Sequence, residues 1–342
     1  MSLHRHAHHA RRALLLAAAA TLAGCASDPA PRPWTEIASR DLHLSLTSVD
    51  VLGRRVGVTR STLASGAPPV VVYLPGLGQG SDAGQRWAAA WAQAGYAVLT
   101  VQPLDDDQQA WRSALARTGE FRELGLRHYG DEMRAQRLAA LRRLLPALKA
   151  AQPTLDWSHT ALAGYETGAQ TALDARGDAG WQAVIAISPP VMSAPATGAA
   201  ALLVTSELDS DPLGLAASAA QRQQAFESFA PGSGWLLTLR QASHAGLAGT
   251  LAPDGWHAQD QHVEMTRAIR AGGGGGGGGG GNRRGEGGGG SAAQPSMYVG
   301  PRSGSASEAA NAQITDALRD TTAFLDAQLR GKPLNAPQLK AR

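Results

Sequence analysis

The sequence predicts an α/β fold with a mostly parallel central sheet flanked by helices. Three observations carry this. Short unbroken apolar runs, such as Val70-Val71-Val72-Tyr73-Leu74 and Ala97-Val98-Leu99-Thr100-Val101, alternate with longer segments of helical periodicity. The runs do not alternate apolar with polar, as expected of strands buried on both faces. One of them, Thr160-Ala161-Leu162-Ala163, runs into a turn bracketed by Gly164 and Gly168 and then into another helix.

Each element has its own signal. Leu42–Leu46 and Arg55–Thr59 alternate around Gly53 and predict a hairpin. The Val70–Leu74 strand stops at Pro75-Gly76-Leu77-Gly78-Gln79-Gly80. A helix is expected from Asp82 to Ala94, with Trp87 and Trp91 four apart on one face and Gly95 ending it. Met133, Leu138, Leu141, Leu144, Leu145 and Leu148 recur at helical spacing and predict a helix over Asp131–Ala151. Ala183–Ile187, Ala201–Thr205 and Trp235–Leu239 read as further strands. Ala309–Arg330 reads as an amphipathic helix that packs back on the sheet.

Two segments of unusual composition lie outside these elements. A basic stretch with Arg5, Arg11 and Arg12 precedes an apolar run of 11 residues, Ala13–Ala23. The run is too short to span a bilayer and suits the core of a signal peptide. It ends at Leu22-Ala23-Gly24-Cys25, which resembles the lipobox of bacterial lipoproteins and implies lipidation of Cys25. Ala26 after the cysteine implies sorting to the outer membrane, facing the periplasm. The expected organisation is therefore a signal peptide at 1–24, a Pro- and Ala-rich tether at 25–40, and one domain at 41–342. That domain is interrupted by a low-complexity insertion at 272–307, where Gly272 to Gly290 holds 15 of the 41 glycines in 19 positions.

The formal net charge of +3 is carried by the three leader arginines, and removing them leaves as many acidic as basic side chains. No later stretch combines basic residues with interleaved aromatics, so no nucleic-acid partner is expected. With a single cysteine the chain has no disulfide framework and no cysteine-built metal cluster. The glycines follow no three-residue period, which excludes collagen. No cofactor and no metal site is predicted. His257 and His262 are five apart, off the spacing of a metal pair on one helix face. Asp105-Asp106-Asp107 is read as a solvated turn and helix start in preference to a divalent-cation site.

The chemistry-bearing segment is Gly164-Tyr165-Glu166-Thr167-Gly168 between strand and helix. It resembles the nucleophile elbow of α/β-hydrolases, most closely the dienelactone-hydrolase and acetylhydrolase-like branch with its Gly-His-Ser-Phe-Gly type of motif. The resemblance extends over most of the chain after the leader. Leu74-Pro75-Gly76-Leu77-Gly78 matches the oxyanion loop, with Pro75 where the family usually has His. The matching oxyanion donors are the backbone N–H groups of Leu77 and Thr167. Ser206-Glu207-Leu208-Asp209-Ser210-Asp211 matches the segment with the triad acid, Asp209 or alternatively Asp211. Ser243-His244-Ala245-Gly246 matches the segment with the catalytic His, and elbow, acid and His follow in the family's order.

The departure is Glu166 at the nucleophile position. The helix N-terminus favours negative charge there, and His244 is expected to pair with it. A carboxylate cannot copy the serine mechanism, because attack on an ester carbonyl gives an anhydride that collapses back. It can displace at alkyl carbon, as the Asp of haloalkane dehalogenases and epoxide hydrolases does, with His244 and Asp209 activating water afterwards. Thr167 stands where dehalogenases hold halide with a Trp. Three roles for Glu166 follow: nucleophile, general base for water, or a substitution that ends the chemistry. The expected function is hydrolysis of small ester-like or alkyl substrates with an atypical triad Glu166, Asp209, His244. The alternative is an inactive, hydrolase-like lipoprotein that binds a small ligand or partner in the envelope. Trp111, Phe121 and Tyr129 fall in an excursion after the fourth strand, where they cover the site or simply pack.

Overall fold

The computed structural model describes residues 43–190, 195–215, 218–249 and 304–342. The leader, Cys25, the tether, the glycine-rich segment, His257 and His262 lie outside the described residues.

Among the described residues nine strands form one sheet in the order β1-β2-β4-β3-β5-β6-β7-β8-β9. Strands β1 (Leu44–Val51) and β2 (Arg54–Ser61) form the expected antiparallel hairpin. Leu52 and Gly53 make its two-residue turn, both at positive φ, the backbone that suits the twist of a tight hairpin. β2 pairs antiparallel with β4 (Ala97–Val101). β3 (Pro69–Leu74), β5 (Asp156–Tyr165), β6 (Ala183–Ile187), β7 (Ala200–Leu208) and β8 (Gly234–Ser243) continue in parallel. A short β9 (Lys340–Ala341) that the sequence did not announce closes the edge antiparallel to β8. Strand order and the elbow after β5 are those of the α/β-hydrolase fold.

The helices cover both faces. On one face Val70, Val72 and Leu74 of β3 pack with Leu141, Leu144 and Leu148 of one helix (Asp131–Ala151) and Ala169, Ala172 and Leu173 of another (Thr167–Asp174). On the other, Val71 and Tyr73 meet Trp87 and Trp91 of α1 (Gln85–Gln93), and Phe324 and Leu325 of the last helix (Gly304–Arg330). Odd and even residues of one strand thus enter different cores, which is why its sequence is apolar throughout. Both tryptophans are fully buried, their indole N–H groups donating to the Leu247 carbonyl and the Thr321 hydroxyl.

Two expectations are corrected. The first helix begins at Gln85 rather than Asp82, because Gly84 is left-handed (φ 64°) and its Cα sits where a Cβ would lie 2.4 Å from the Tyr73 ring. Asp105, Asp106 and Asp107 form α2 (Asp105–Gln108), but only the first two are solvated. Asp107 is wholly buried, in an ion pair with Arg137 and a hydrogen bond to His128. The excursion continues through α3 (Ala114–Thr118) and α4 (Phe121–Tyr129) into α5 (Asp131–Ala151). The remaining α-helices among the described residues are α6 (Thr167–Asp174), α7 (Ala219–Arg222), α8 (Gln224–Ser228), α9 (His244–Leu247) and α10 (Gly304–Arg330).

Candidate active site

The site assembles at the carboxyl ends of the parallel strands, where open α/β sheets bind ligands. β5 ends at Tyr165, and the next residue, Glu166, has φ 52° and ψ −117°. A non-glycine residue holds such a conformation only when its surroundings impose it. Here they do: its N–H donates to the Ile187 carbonyl, and its own carbonyl caps the start of α6 through Gln170 N–H. Gly164 and Gly168 allow the crossing. A Cβ on Gly164 would lie 2.4 Å from the Gly168 carbonyl, and one on Gly168 would lie 2.0 Å from the Leu74 carbonyl oxygen.

Glu166 is buried, and both carboxylate oxygens are satisfied. Oε2 accepts the Leu77 N–H at 2.9 Å, and Oε1 accepts the Tyr129 hydroxyl at 2.5 Å. The expected pairing with His244 is not made: among the described residues no hydrogen bond or ion pair joins the two. The physical reason is length. The extra methylene and carboxyl carbon of Glu, relative to a Ser at the same turn, carry its oxygens past the elbow into the loop after β3, where an amide donor waits. Burial, and the nearby Glu166 charge, hold the Tyr129 hydroxyl well above its ordinary range, so it remains a donor. Thr167, the other expected oxyanion residue, opens α6; its N–H belongs to the first turn, where no intrahelical acceptor exists, and its buried hydroxyl has no protein partner.

The loop is braced around Leu77. Gln102 donates to the Gly76 carbonyl, the Gln79 side chain accepts the Gly76 N–H, and Trp111 Nε1 donates to the Leu77 carbonyl. Trp111 in turn stacks at a tilt on Phe121, with ring centroids 6.2 Å apart.

His244 and Asp209 do meet. His244 Nδ1 is 2.8 Å from Asp209 Oδ1. Ser188, after β6, donates to the same oxygen at 2.8 Å and lies 3.0 Å from Nδ1, while Thr205 donates to Oδ2 at 3.0 Å. Burial pushes the Asp209 carboxyl up, but His244, Arg222 and Ser188 outweigh it and hold it below the usual carboxylate range. An acceptor-only carboxylate requires the proton on Nδ1, which leaves Nε2 as the ring nitrogen able to take one. Arg222 is fully buried beneath this group and donates to the main-chain carbonyls of Asp209, Ser188 and Pro189. Asp211, the alternative acid, instead accepts the N–H groups of Leu213 and Leu215 and shapes its own loop. Tyr165 donates to the His244 carbonyl, with the two rings 5.1 Å apart.

Tyr129 was expected only to cover the site or to pack, and no functional role was expected of Ser188, Thr205 or Arg222. Ser188 and Thr205 had a usable signal, the carboxyl ends of buried strand runs. Arg222, on a short helix in a polar segment, had none. Among the described residues no group of three or more His, Cys, Asp or Glu side chains is placed to hold a metal ion.

No family model and no curated protein matches the chain. It is similar to a solved structure of a dienelactone hydrolase from Anabaena variabilis at 18% identity and a TM-score of 0.40. The match covers 66% of this chain and 97% of that one.

Proposed function

We propose that this hydrolase-fold chain hydrolyses small molecules at alkyl carbon, with Glu166 as nucleophile and His244, oriented by Asp209, as the base for water. The observation that carries this reading is the hydrogen bond from Leu77 N–H to Glu166 Oε2. In a serine enzyme an oxyanion donor waits for substrate oxygen; here it already holds an oxygen of the enzyme. That oxygen is the one on which charge appears when water adds to an alkyl–Glu166 ester.

Oε1 attacks the alkyl carbon, the C–Oε1 bond forms, and the leaving group departs with the electron pair. His244 Nε2 takes a proton from water, whose oxygen bonds to Glu166 Cδ, and Leu77 N–H stabilises the negative Oε2. The Cδ–Oε1 bond breaks, and the departing alkoxide takes the proton from His244 to leave as alcohol. The new acid on Glu166 loses its proton to solvent. In-line displacement puts the leaving group on the far side of the carbon from Oε1, whereas Tyr129 lies on Oε1 itself. This favours leaving groups that depart as stable anions, such as halide, over epoxides that need a proton.

The test uses 1-bromobutane, styrene oxide and p-nitrophenyl acetate with wild type, Glu166→Gln and His244→Gln. Wild type is expected to turn over the bromide, Glu166→Gln not to react, and His244→Gln to accumulate a butyl adduct visible by mass. Single turnover in heavy-oxygen water should place label in Glu166. Absence of both adduct and label overturns the reading.

A second reading, a ligand-binding protein without turnover, is favoured by one observation: Tyr129 engages the attacking oxygen, so both oxygens of Glu166 are satisfied in the free protein. We further propose anchoring of the chain to the outer membrane through Cys25. Cys25→Ala should release the protein to the soluble fraction; continued membrane association sinks that assignment.

A further inference from the structure

We infer that the buried Asp107–Arg137–His128 cluster is the positioning device that sets both hydrogen-bond donors of Glu166. The cluster takes one residue from each of α2, α4 and α5. All three are fully or nearly fully buried.

Its two arms reach the two donors. Through its main chain, Asp107 accepts the Gly78 N–H at 2.8 Å. Gly78 adjoins Leu77, whose own N–H holds Glu166 Oε2. Gly78 has φ 72°, and a Cβ there would lie 2.0 Å from the Trp111 ring, so this loop has little room to settle elsewhere. Through its side chain, Asp107 accepts Arg137 Nε at 2.5 Å and Nη2 at 2.9 Å, and pairs with His128 Nδ1 at 2.8 Å. Arg137 also donates to the His128 carbonyl, the main-chain group that links directly to Tyr129. Tyr129 then places its hydroxyl on Oε1.

An apolar explanation is available for the same helices, since Leu77, Ala110, Ala116, Leu124 and Tyr129 share one small hydrophobic cluster. Apolar contacts are non-directional, however, and leave the angle of a loop and the reach of a hydroxyl loosely set. A buried ion pair is seldom more stabilising than apolar residues of equal volume, and what it adds is one geometry. Bidentate Arg–carboxylate contact with a shared histidine supplies that geometry. The consequence for catalysis rests on Glu166 being the reacting group; the positioning itself does not.

The test separates the two. The full protein is labelled with carbon-13 at tyrosine Cζ and nitrogen-15 at leucine; with five tyrosines the carbon spectrum is simple. Tyr129 is the signal lost in Tyr129→Phe, and Glu166→Gln shows where it lies without a carboxylate partner. Arg137→Lys and His128→Gln are each expected to move it toward the Glu166→Gln position, and to move the Leu77 amide signal. Tyr73 and Tyr96, on the opposite side of the sheet, should stay in place and report that the fold is intact. Turnover of 1-bromobutane should fall on the order of 100-fold with KM within about twofold. If Tyr129 and Leu77 keep their wild-type signals in folded variants, the positioning role is wrong. If Arg137→Lys does not fold, His128→Gln decides. If wild type consumes no alkyl halide, the nucleophile reading fails while the two signals still decide the positioning.

Discussion

Glu166 Oε2 lies 2.9 Å from the Leu77 amide nitrogen, so an acidic side chain of the elbow fills the hole that a serine enzyme keeps for substrate. Acyl transfer is closed for two separable reasons: no alcohol nucleophile at the elbow, and the Leu77 donor already taken. Glu166→Ser removes both at once and leaves the Asp209–His244 pair in place. The variant is expected to hydrolyse p-nitrophenyl acetate where wild type does not. One such donor is worth about 100- to 1000-fold in kcat, so a gain of that order over background is measurable by product absorbance. No gain in a folded Glu166→Ser protein would show that Leu77 N–H is not aimed at a productive oxyanion.

Tyr129 supplies the other contact, a hydroxyl 2.5 Å from Oε1, with both side chains buried. Tyr129→Phe keeps the ring and removes the donor, leaving a buried charged acceptor short of a partner. A loss of about 1–3 kcal/mol is expected in urea unfolding. Unchanged stability would mean that the carboxylate finds another donor, and would weaken the case that its position is set from the excursion.

Acid stability follows from the two buried aspartates. Burial raises Asp107, but His128 and Arg137 outweigh it, and its carboxyl sits below the usual range, as does that of Asp209. In the window below the unfolded value of about 3.9 the unfolded chain binds more protons, so both groups contribute stability above that pH that is lost as pH falls through their folded values. Asp320, pushed up by burial, works in the opposite sense. The urea midpoint is expected to fall steeply below about pH 4. Asp107→Asn should cost about 3–5 kcal/mol at pH 7, because it leaves Arg137 charged and unpaired, and less as the pH drops. A gap from wild type that stays constant down to pH 3 would contradict this.

What was legible in the sequence was what periodicity and chain order record. Val70–Leu74 and Ala183–Ile187 announced themselves because both faces of the sheet are covered. Elbow, acid and histidine lay in order at the ends of such runs. Side-chain reach was not legible. Nothing local to Glu166 says that its carboxylate turns toward Leu77 instead of His244, since that depends on a loop 89 residues earlier in the chain. Asp107 misled for a related reason. A run of three aspartates reads as solvated until Arg137, 30 residues on, is seen to pair with the third. Long-range ion pairs leave no mark in periodicity, and the excursion that carries them is irregular.

The glycines around Glu166 separate the site from the scaffold. At Gly168 an added Cβ meets the main-chain carbonyl of Leu74 at 2.0 Å, and neither strand nor helix can yield. Gly168→Ala is therefore expected to destabilise the whole chain, by several kcal/mol at the severe end for single substitutions. At Gly76 the nearest atom to an added Cβ is instead Glu166 Oε2, at 2.5 Å, followed by the Tyr165 ring at 2.9 Å. The first of these is the far end of a flexible side chain and can move. Gly76→Ala should then keep most of the stability but push the carboxylate off Leu77 N–H. A displacement of about 1 Å is enough to cost on the order of 100-fold in rate. Thermal unfolding and bromide turnover measured on both variants check the contrast. Equal stability losses would mean that the loop after β3 is as rigid as the elbow, and that Glu166 has no room to be displaced.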